Sequence, residues 1–372
     1  MADTLTLRAL NRATLDRQLL LRRHDMTARR AVAHLGGMQA QAPLAPYAGL
    51  WTRLENFTPQ ELSTLISERA VLRAHLNRGT VHLLTAEDYL DARPLFQQLG
   101  ERGLRAHFGK RLAGVDLTEL AARARDLLAG QALTRAELGQ LLAPAWPGTD
   151  PGSLAYGASY LLPLAHVPPR GIWGETGQAS FALAEEWLGR PVPGQPDPAA
   201  ADRLVLRCAG AFGPVTVNDI QTWSGLTRLR EVTERLAGQL RTFRGPDGEE
   251  LLDLPGAPRP DQDTPAPPRF LPAYDNLLLS HADRGRVIPH RRPVPLPPGN
   301  GSTQGTLLID GLWNATWKIG PGVLDIAPFV RLTAQDVDAI TTEGTRLLDF
   351  AGPDFAGPEF GTAADIRFAP PE

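Results

Sequence analysis

The chain has 372 residues, 42% of them hydrophobic and 21% charged, with a formal net charge of −3. That length predicts two to four modules of an ordinary globular protein, and the balance of charge argues against a uniformly basic binder of nucleic acid. No run of apolar residues is long enough to span a membrane, Met1 to Leu5 lack the pattern of a signal peptide, and the single cysteine, Cys208, excludes an intrachain disulfide or a Cys-rich zinc site.

The expected location is therefore the cytoplasm, where the sequons at Asn56, Asn300 and Asn314 are silent. Residues 8–24 read as an amphipathic helix, with Leu10, Leu15, Leu19 and Leu20 inward and Arg12, Arg17 and Arg22 outward. Thr27 is placed to cap a second helix, Ala28 to Leu35, which carries Arg29 and Arg30 in its first turn. Gly36-Gly37-Met38-Gln39-Ala40-Gln41-Ala42-Pro43 follows. Two glycines before the Gln-Ala-Gln and a proline after it argue against a continuous helix. If the segment is extended, Gln39 and Gln41 point to one side, and two carboxamides side by side can hold one water. The alternative is a polar loop after a helix.

Tyr47 to Leu54 reads as helix, and Thr58-Pro59-Gln60-Glu61 as the start of another. Val71–Leu76 and Thr80–Leu84 alternate with period two around Asn77-Arg78-Gly79, a predicted hairpin followed by a helix from Thr85. Helices followed by a hairpin is the order of a winged helix-turn-helix, and the order recurs twice. Leu117–Leu128, a capping box at Thr134 to Leu138, and the apolar Leu154–His166 precede a hairpin from Arg170 to Phe181. Ala199–Ala211, a cap at Thr216, and Arg228–Leu236 in the position of a recognition helix precede a hairpin at Leu240–Arg244 and Glu249–Asp253. Pro255–Pro268 reads as a linker. Strands at Gly305–Ile309, Leu312–Ile319 and Val323–Val330, a Pro-rich insertion from Pro289 to Pro298, and a Thr333-capped helix to Phe350 complete the chain. The predicted fold is α+β and mainly helical: three tandem winged helices at 1–112, 113–195 and 196–256, then a C-terminal β-rich α+β module at 257–372.

Charge is segregated along the chain. Met1 to Arg53 holds eight arginines against three acids, whereas Gln335 to the end holds two basic residues against eight acids. Lys110 and Lys318 are the only lysines. Arginine suits phosphate as well as carboxylate partners; a composition bias accounts for the ratio of arginine to lysine but not for the segregation.

In Leu35–Gln41, Asn77–Tyr89, Leu271–Asn276, Ala282–Val287 and Asp310–Trp317, taken in order, the chain resembles the bacterial winged-helix DNA glycosylases, the AlkZ-like and YcaQ-like proteins. The AlkZ-like branch carries Gln-x-Gln and the YcaQ-like branch Gln-x-Asp, so Gln39-Ala40-Gln41 falls with the first. The resemblance implies tandem winged helices with a β-rich C-terminal part around a DNA-sized channel, and Gln39 and Gln41 as the catalytic pair. It also implies release of purines alkylated at N7, with unhooking of N7-linked interstrand crosslinks in the founder's case. No cofactor or metal is expected, and the partner is alkylated or crosslinked double-stranded DNA. No heptad seam is visible, so a monomer is expected.

An N7-alkylated base is a cation and leaves readily; holding a water near C1′ and tolerating an oxocarbenium-like sugar remain, which is positioning and electrostatics. A neutral purine needs a stronger base and a general acid, which this motif does not supply. A lyase needs an amine nucleophile, and neither lysine lies in a matched stretch, so the expected enzyme uses water alone.

Candidate DNA contacts are Arg29, Arg30, Arg73, His75, Arg78 and His82 in the first module and Arg284, Arg286, His290 and Arg291 in the last. His75 and His82 facing each other across the first hairpin would be a metal pair, a wing on phosphates or a solvated hairpin. Asp275 is either active-site support or a cap. Ser280-His281-Ala282-Asp283 contains triad residue types without triad spacing, and Trp313 and Trp317 read as core. The rival readings are a non-catalytic winged-helix transcription regulator and an architectural DNA binder.

Overall fold

The computed structural model describes residues 3–294, 304–320, 322–356 and 365–371; the Asn300 sequon and the end of the Pro-rich insertion lie outside them. The chain forms two compact units: Met1–Leu62 joins Val205–Glu372, and Ser63–Leu204 stands as the second.

The first unit begins with α1 (Leu7–Arg17), capped by Thr6 on the Ala9 amide. The helix stops well short of the predicted residue 24. Leu19 turns left-handed at φ 59, and the Leu20 amide closes back on Leu15 O, so a leucine fills the position usually held by glycine. Arg12 and Arg17, expected outward, are each 1% exposed. Arg12 donates to Thr264 O at 2.7 Å and pairs with Asp310, while Arg17 grips Asp253 at 2.6 and 2.9 Å. Helical periodicity finds the apolar stripe but not what later covers the polar one. The carbonyls of Pro258 and Thr264 join that cover, so the predicted linker has no helix or strand yet is pinned to α1.

Next come α2 (Ala28–His34) with Thr27 as its cap, the two-residue strand β1 (Met38–Gln39), α3 (Ala45–Trp51) and α4 (Pro59–Ser67), in which the chain passes into the second unit.

The second unit opens with the predicted hairpin, β2 (Val71–His75) and β3 (Val81–Thr85), then α5 (Ala86–Ala92), α6 (Gln97–Phe108) and α7 (Leu117–Leu128). β4 (Leu133–Thr134) leads into α8 (Arg135–Leu142), which carries the predicted capping box between Thr134 and Glu137. α9 (Pro151–Leu161) ends five residues before the predicted His166, because Pro163 lacks the amide a helix needs and pushes its neighbour toward extended backbone. The released Leu164–Val167 becomes β5 and pairs with β6 (Ser180–Leu183), so the hairpin lies outside the Arg170–Trp173 piece expected to form it. α10 (Ala184–Leu188) follows. Within the unit the strands run β3–β2–β5–β6–β4. Leu104, Leu120, Leu128, Leu138, Leu154 and Phe181 are buried together as its core.

The chain returns to the first unit through α11 (Ala200–Phe212), α12 (Val217–Ser224) and α13 (Arg230–Arg235), with the hairpin β7 (Arg241–Arg244) and β8 (Glu250–Asp253). Val215 bridges Leu252, as β4 pairs with β6, so α7 to β6 and α11 to β8 share the connectivity helix, short strand, two helices, hairpin. The elements α2, β1, α3, α4, β2 and β3 follow in the same order. The C-terminal part is the sheet β13–β12–β11–β10–β9, from β9 (Arg269–Leu271), β10 (Gly305–Ile309), β11 (Leu312–Gly320), β12 (Val323–Pro328) and β13 (Asp365–Phe368), with α14 (Ala334–Ala356) between the last two strands. β9 and β13 were not predicted: each is short, and β13 joins β12 in parallel after a helix. Trp313 and Trp317 are core, with their indole N–H groups on Ala315 O and Leu271 O; Gly305 stands opposite Trp317, where any Cβ would strike the ring. The fold is α+β and mainly helical, as predicted.

Candidate active site

Gly36 (φ 66) and Gly37 (φ 91) take the chain off the end of α2 in a conformation that side chains resist, and a Cβ on Gly36 would lie 2.9 Å from the Trp223 ring. The turn sets Met38 and Gln39 down as extended backbone in β1. Gln39 is 7% exposed; Gln41, two residues on, is half-buried.

Gln39 lines a pocket with Gln18, Arg53, Pro272, Asp275 and Asn276, whose free volume of ≈ 10 Å³ is at the scale of one water. Gln41 is not among the residues that line it. Asn276 donates to Gly37 O at 3.1 Å and so ties the floor of the pocket to the turn that presents Gln39. Asp275 is a cap, one of the two readings the sequence offered, and it is also an ion-pair partner. Its Oδ1 caps the short helix Asn276–Leu278 through the Leu277 amide at 3.0 Å, and its two oxygens take the two terminal nitrogens of Arg53 at 3.0 Å each. Arg53 is 1% exposed, and its Nε and Nη1 also donate to Gln18 O and Gly49 O. A buried bidentate pair with every guanidinium nitrogen answered holds its geometry. Arg53 and Asn276 were not anticipated as site residues: the pair to Asp275 spans 222 positions, and no local pattern announces it.

The predicted DNA contacts separate by burial. Arg29 and Arg30 are exposed on the first turn of α2, and His290 and Arg291 are exposed with left-handed φ of 56 and 52; Arg284 is half-buried. Arg286 is 6% exposed, donating to Pro214 O at 2.8 Å and Thr14 Oγ1 at 3.2 Å, and burial lowers its pKa. Arg73 is 4% exposed with a bond to Arg170 O at 3.2 Å. A guanidinium committed to carbonyls inside the protein is not presented to a phosphate, so Arg73 and Arg286 are structural. His82 is fully buried with Arg78 Nη2 at 3.3 Å. The register pairs His75 with Val81 and Ala74 with His82, so the two imidazoles lie on opposite faces of the hairpin and cannot share a metal. Ser280 donates to Asn276 O and His281 sits on Phe212 O, which breaks the triad types apart. Lys110 and Lys318 are exposed, and neither lines the pocket.

Comparison with known proteins bears on what this pocket serves. No curated protein matches the sequence. The solved structure of Streptomyces sahachiroi DNA glycosylase AlkZ matches at a TM-score of 0.76 and 19% identity, covering 98% of this chain and 100% of that one, a likeness of fold. A family model described as "DNA glycosylase AlkZ-like" matches residues 32–350, a stretch that contains Gln39, Gln41, Arg53, Asp275 and Asn276. With most of its length matched, the chain belongs to the AlkZ-like DNA glycosylase family.

Proposed function

We propose that this glycosylase is monofunctional and hydrolyses the N-glycosidic bond of cationic N7-alkylated purines in double-stranded DNA, with N7-linked interstrand crosslinks as an extended substrate. Gln39 and Gln41 position the water. Membership of a glycosylase family displaces the transcription-regulator reading, since a regulator leaves every glycosidic bond intact.

The observation that carries the proposal is Gln39 on the wall of a one-water pocket, beside a carboxylate already bound by Arg53. An amide oxygen accepts a hydrogen bond from the water and aims its lone pair at C1′. The C1′–N9 bond breaks with its electrons going to the cationic base, which leaves neutral. The water oxygen bonds C1′ and its proton passes to solvent. Asp275, with both oxygens on Arg53, is a fixed negative end near the developing oxocarbenium rather than a free base. The two lysines are exposed and neither lines the pocket, which supports chemistry by water without a Schiff base. We further place the enzyme as a monomer in the cytoplasm, acting at the nucleoid, with Arg29, Arg30, His290 and Arg291 as its exposed phosphate contacts; no helix among the described residues is long and apolar enough to cross a membrane.

The test is single-turnover release of N7-methylguanine from a labelled duplex. The Gln39→Ala, Gln41→Ala double variant is expected to lose on the order of 100-fold or more in rate with DNA binding retained. Equal excision of uracil, an uncharged base, or borohydride trapping of a protein–DNA adduct would overturn the mechanism.

A further inference from the structure

A second polar cluster, in the Ser63–Leu204 unit, takes no part in the chemistry above. Arg73 and His75 alternate on β2, and Arg73 pairs with His166 across β5, so the three side chains stand on one face of the sheet. The His75 and His166 rings are 5.5 Å apart. Both ring nitrogens of His166 are buried without a hydrogen-bond partner, and so is Nε of Arg135, which lies over the Phe181 ring beside them. A pocket of ≈ 30 Å³ opens next to this cluster, with His75, Arg93, Ser159 and Tyr160 as its polar lining.

The charges that act on His75 are all positive. Burial first, then Arg135, Arg93 and Arg73, push the His75 pKa down to about 4. Burial, with Arg73, Arg135 and Arg170, holds His166 well below the ordinary range. Glu101 on α6 reaches Arg93 through Gln97, by bonds of 3.1 and 2.9 Å. Tyr160 on α9 is kept protonated, its pKa raised by burial. Arg78 and His82 bond to each other, with His82 on the opposite face of the hairpin. Of these groups His75, Arg93 and Tyr160 line the pocket, and a buried cation and buried donors there are costly unless something meets them.

We propose that this pocket binds one phosphate group or a like oxyanion. Arg93 supplies its guanidinium, Tyr160 its hydroxyl, and His75 an N–H, the ring taking a second proton from solvent as the anion enters. Ser159 already donates to Ala155 O and offers the anion nothing but room. The occupant is either a phosphate of bound DNA or free inorganic phosphate, which present the same oxygens. None of the residues that line it lines the Gln39 pocket, and the proposal does not depend on the glycosidic chemistry.

The test is histidine-selective ¹⁵N NMR on the full chain, with His75 assigned through His75→Gln. Sodium phosphate, and sodium sulfate that does not itself titrate near neutrality, are added against sodium chloride at matched ionic strength. Either oxyanion is expected to move the midpoint of the His75 titration upward by about one pH unit or more. By reciprocity the anion then binds about tenfold tighter, or more, to the protein whose His75 is protonated. Arg93→Gln abolishes the response and Tyr160→Phe weakens it several-fold. A duplex that moves the His75 signal, reversed by added phosphate, assigns the DNA source; a phosphate response with the duplex inert assigns the free anion. Chloride producing the same change, or a response that survives both substitutions, overturns the proposal.

Discussion

Arg53 in the first unit and Arg93 in the second are both buried guanidinium groups on the wall of a small pocket, and their surroundings differ in kind. Arg53 meets both oxygens of Asp275 and two backbone carbonyls. Arg93 has a neutral amide, Gln97, as its bonded partner at 2.9 Å and two depressed histidines nearby. The first pocket is geometrically closed: its one ion pair is locked within it, and its free volume is at the scale of one water. In the second no acid meets its guanidinium group directly, since Glu101 reaches Arg93 only through Gln97. A compensated pair fixes a geometry, whereas an uncompensated cluster selects a ligand.

The largest test of that contrast removes the compensation where it exists. Asp275→Ala leaves Arg53 buried with half its partners gone, and about 3–5 kcal/mol of unfolding free energy is expected to be lost. Urea denaturation reads it as a lower midpoint at unchanged slope. Arg53→Met combined with Asp275→Leu removes both charges and is expected to recover most of that loss. If Asp275→Ala alone costs under about 1 kcal/mol, the pair does not hold the pocket and the contrast with Arg93 fails.

These two regions were also unequally legible in the sequence. Local signals were accurate for caps and for two of the hairpins, though not for the ends of α1 and α9. The Thr27, Thr85, Thr134, Thr216 and Thr333 caps, the α7 limits and the β2–β3 and β7–β8 hairpins follow from spacing within a few residues. The Gly-Gly turn before Gln39 is equally local. What the sequence withheld is what distant segments do to one another. Arg12 and Arg17 read as an outer face until the chain near 253–264 and 310 covers them. His75 and His82 read as a facing pair because a three-residue turn can set either register, and here it sets the offset one. β13, four residues joined in parallel after a long helix, has no periodicity to announce it. The Gln39 motif was visible, while the Arg53–Asp275 pair beside it was not.

Protons offer the next test, smaller per group. Burial with Arg135, Arg93 and Arg73 takes His75 to about 4, and burial with Arg286 takes His281 in the first unit to about 4, with Asp219 beside it pulling the other way. An unfolded histidine titrates near 6.5, so between 6.5 and 4 the unfolded chain binds more protons. Each ring therefore contributes stability that is complete above about pH 6.5 and falls away as the pH drops to 4, by up to about 3 kcal/mol. His166 adds to the same slope in the second unit. Amide exchange corrected for intrinsic rates, followed unit by unit from pH 7 to 4.5, is expected to show the Ser63–Leu204 unit losing more protection than the other, and His75→Gln to flatten its slope. Equal losses in both units would mean that the surrounding guanidinium groups do not set the histidines apart.

The smallest effect compares two helix starts of one design. Thr134 accepts from the Glu137 amide at 3.2 Å, and Glu137 answers on the Thr134 amide at 2.7 Å, in an exposed setting where water can replace either bond. Thr216 and Asp219 make the same exchange at 3.0 and 2.8 Å, but Asp219 is 3% exposed and its other oxygen holds the Ala282 amide at 2.8 Å, in the segment that carries His281 and Arg286. Removing the hydroxyl at Thr134 exchanges one solvated bond for another and is expected to cost about 0.5–1 kcal/mol; at Thr216 the freed amide lies against a buried carboxylate and the cost rises to about 2 kcal/mol. Denaturation of Thr134→Ala and Thr216→Ala measures both. The order should reverse only if Asp219 keeps its place through Ala282 alone, in which case the buried acid of the first unit is held by the C-terminal segment and the helix cap is incidental to it.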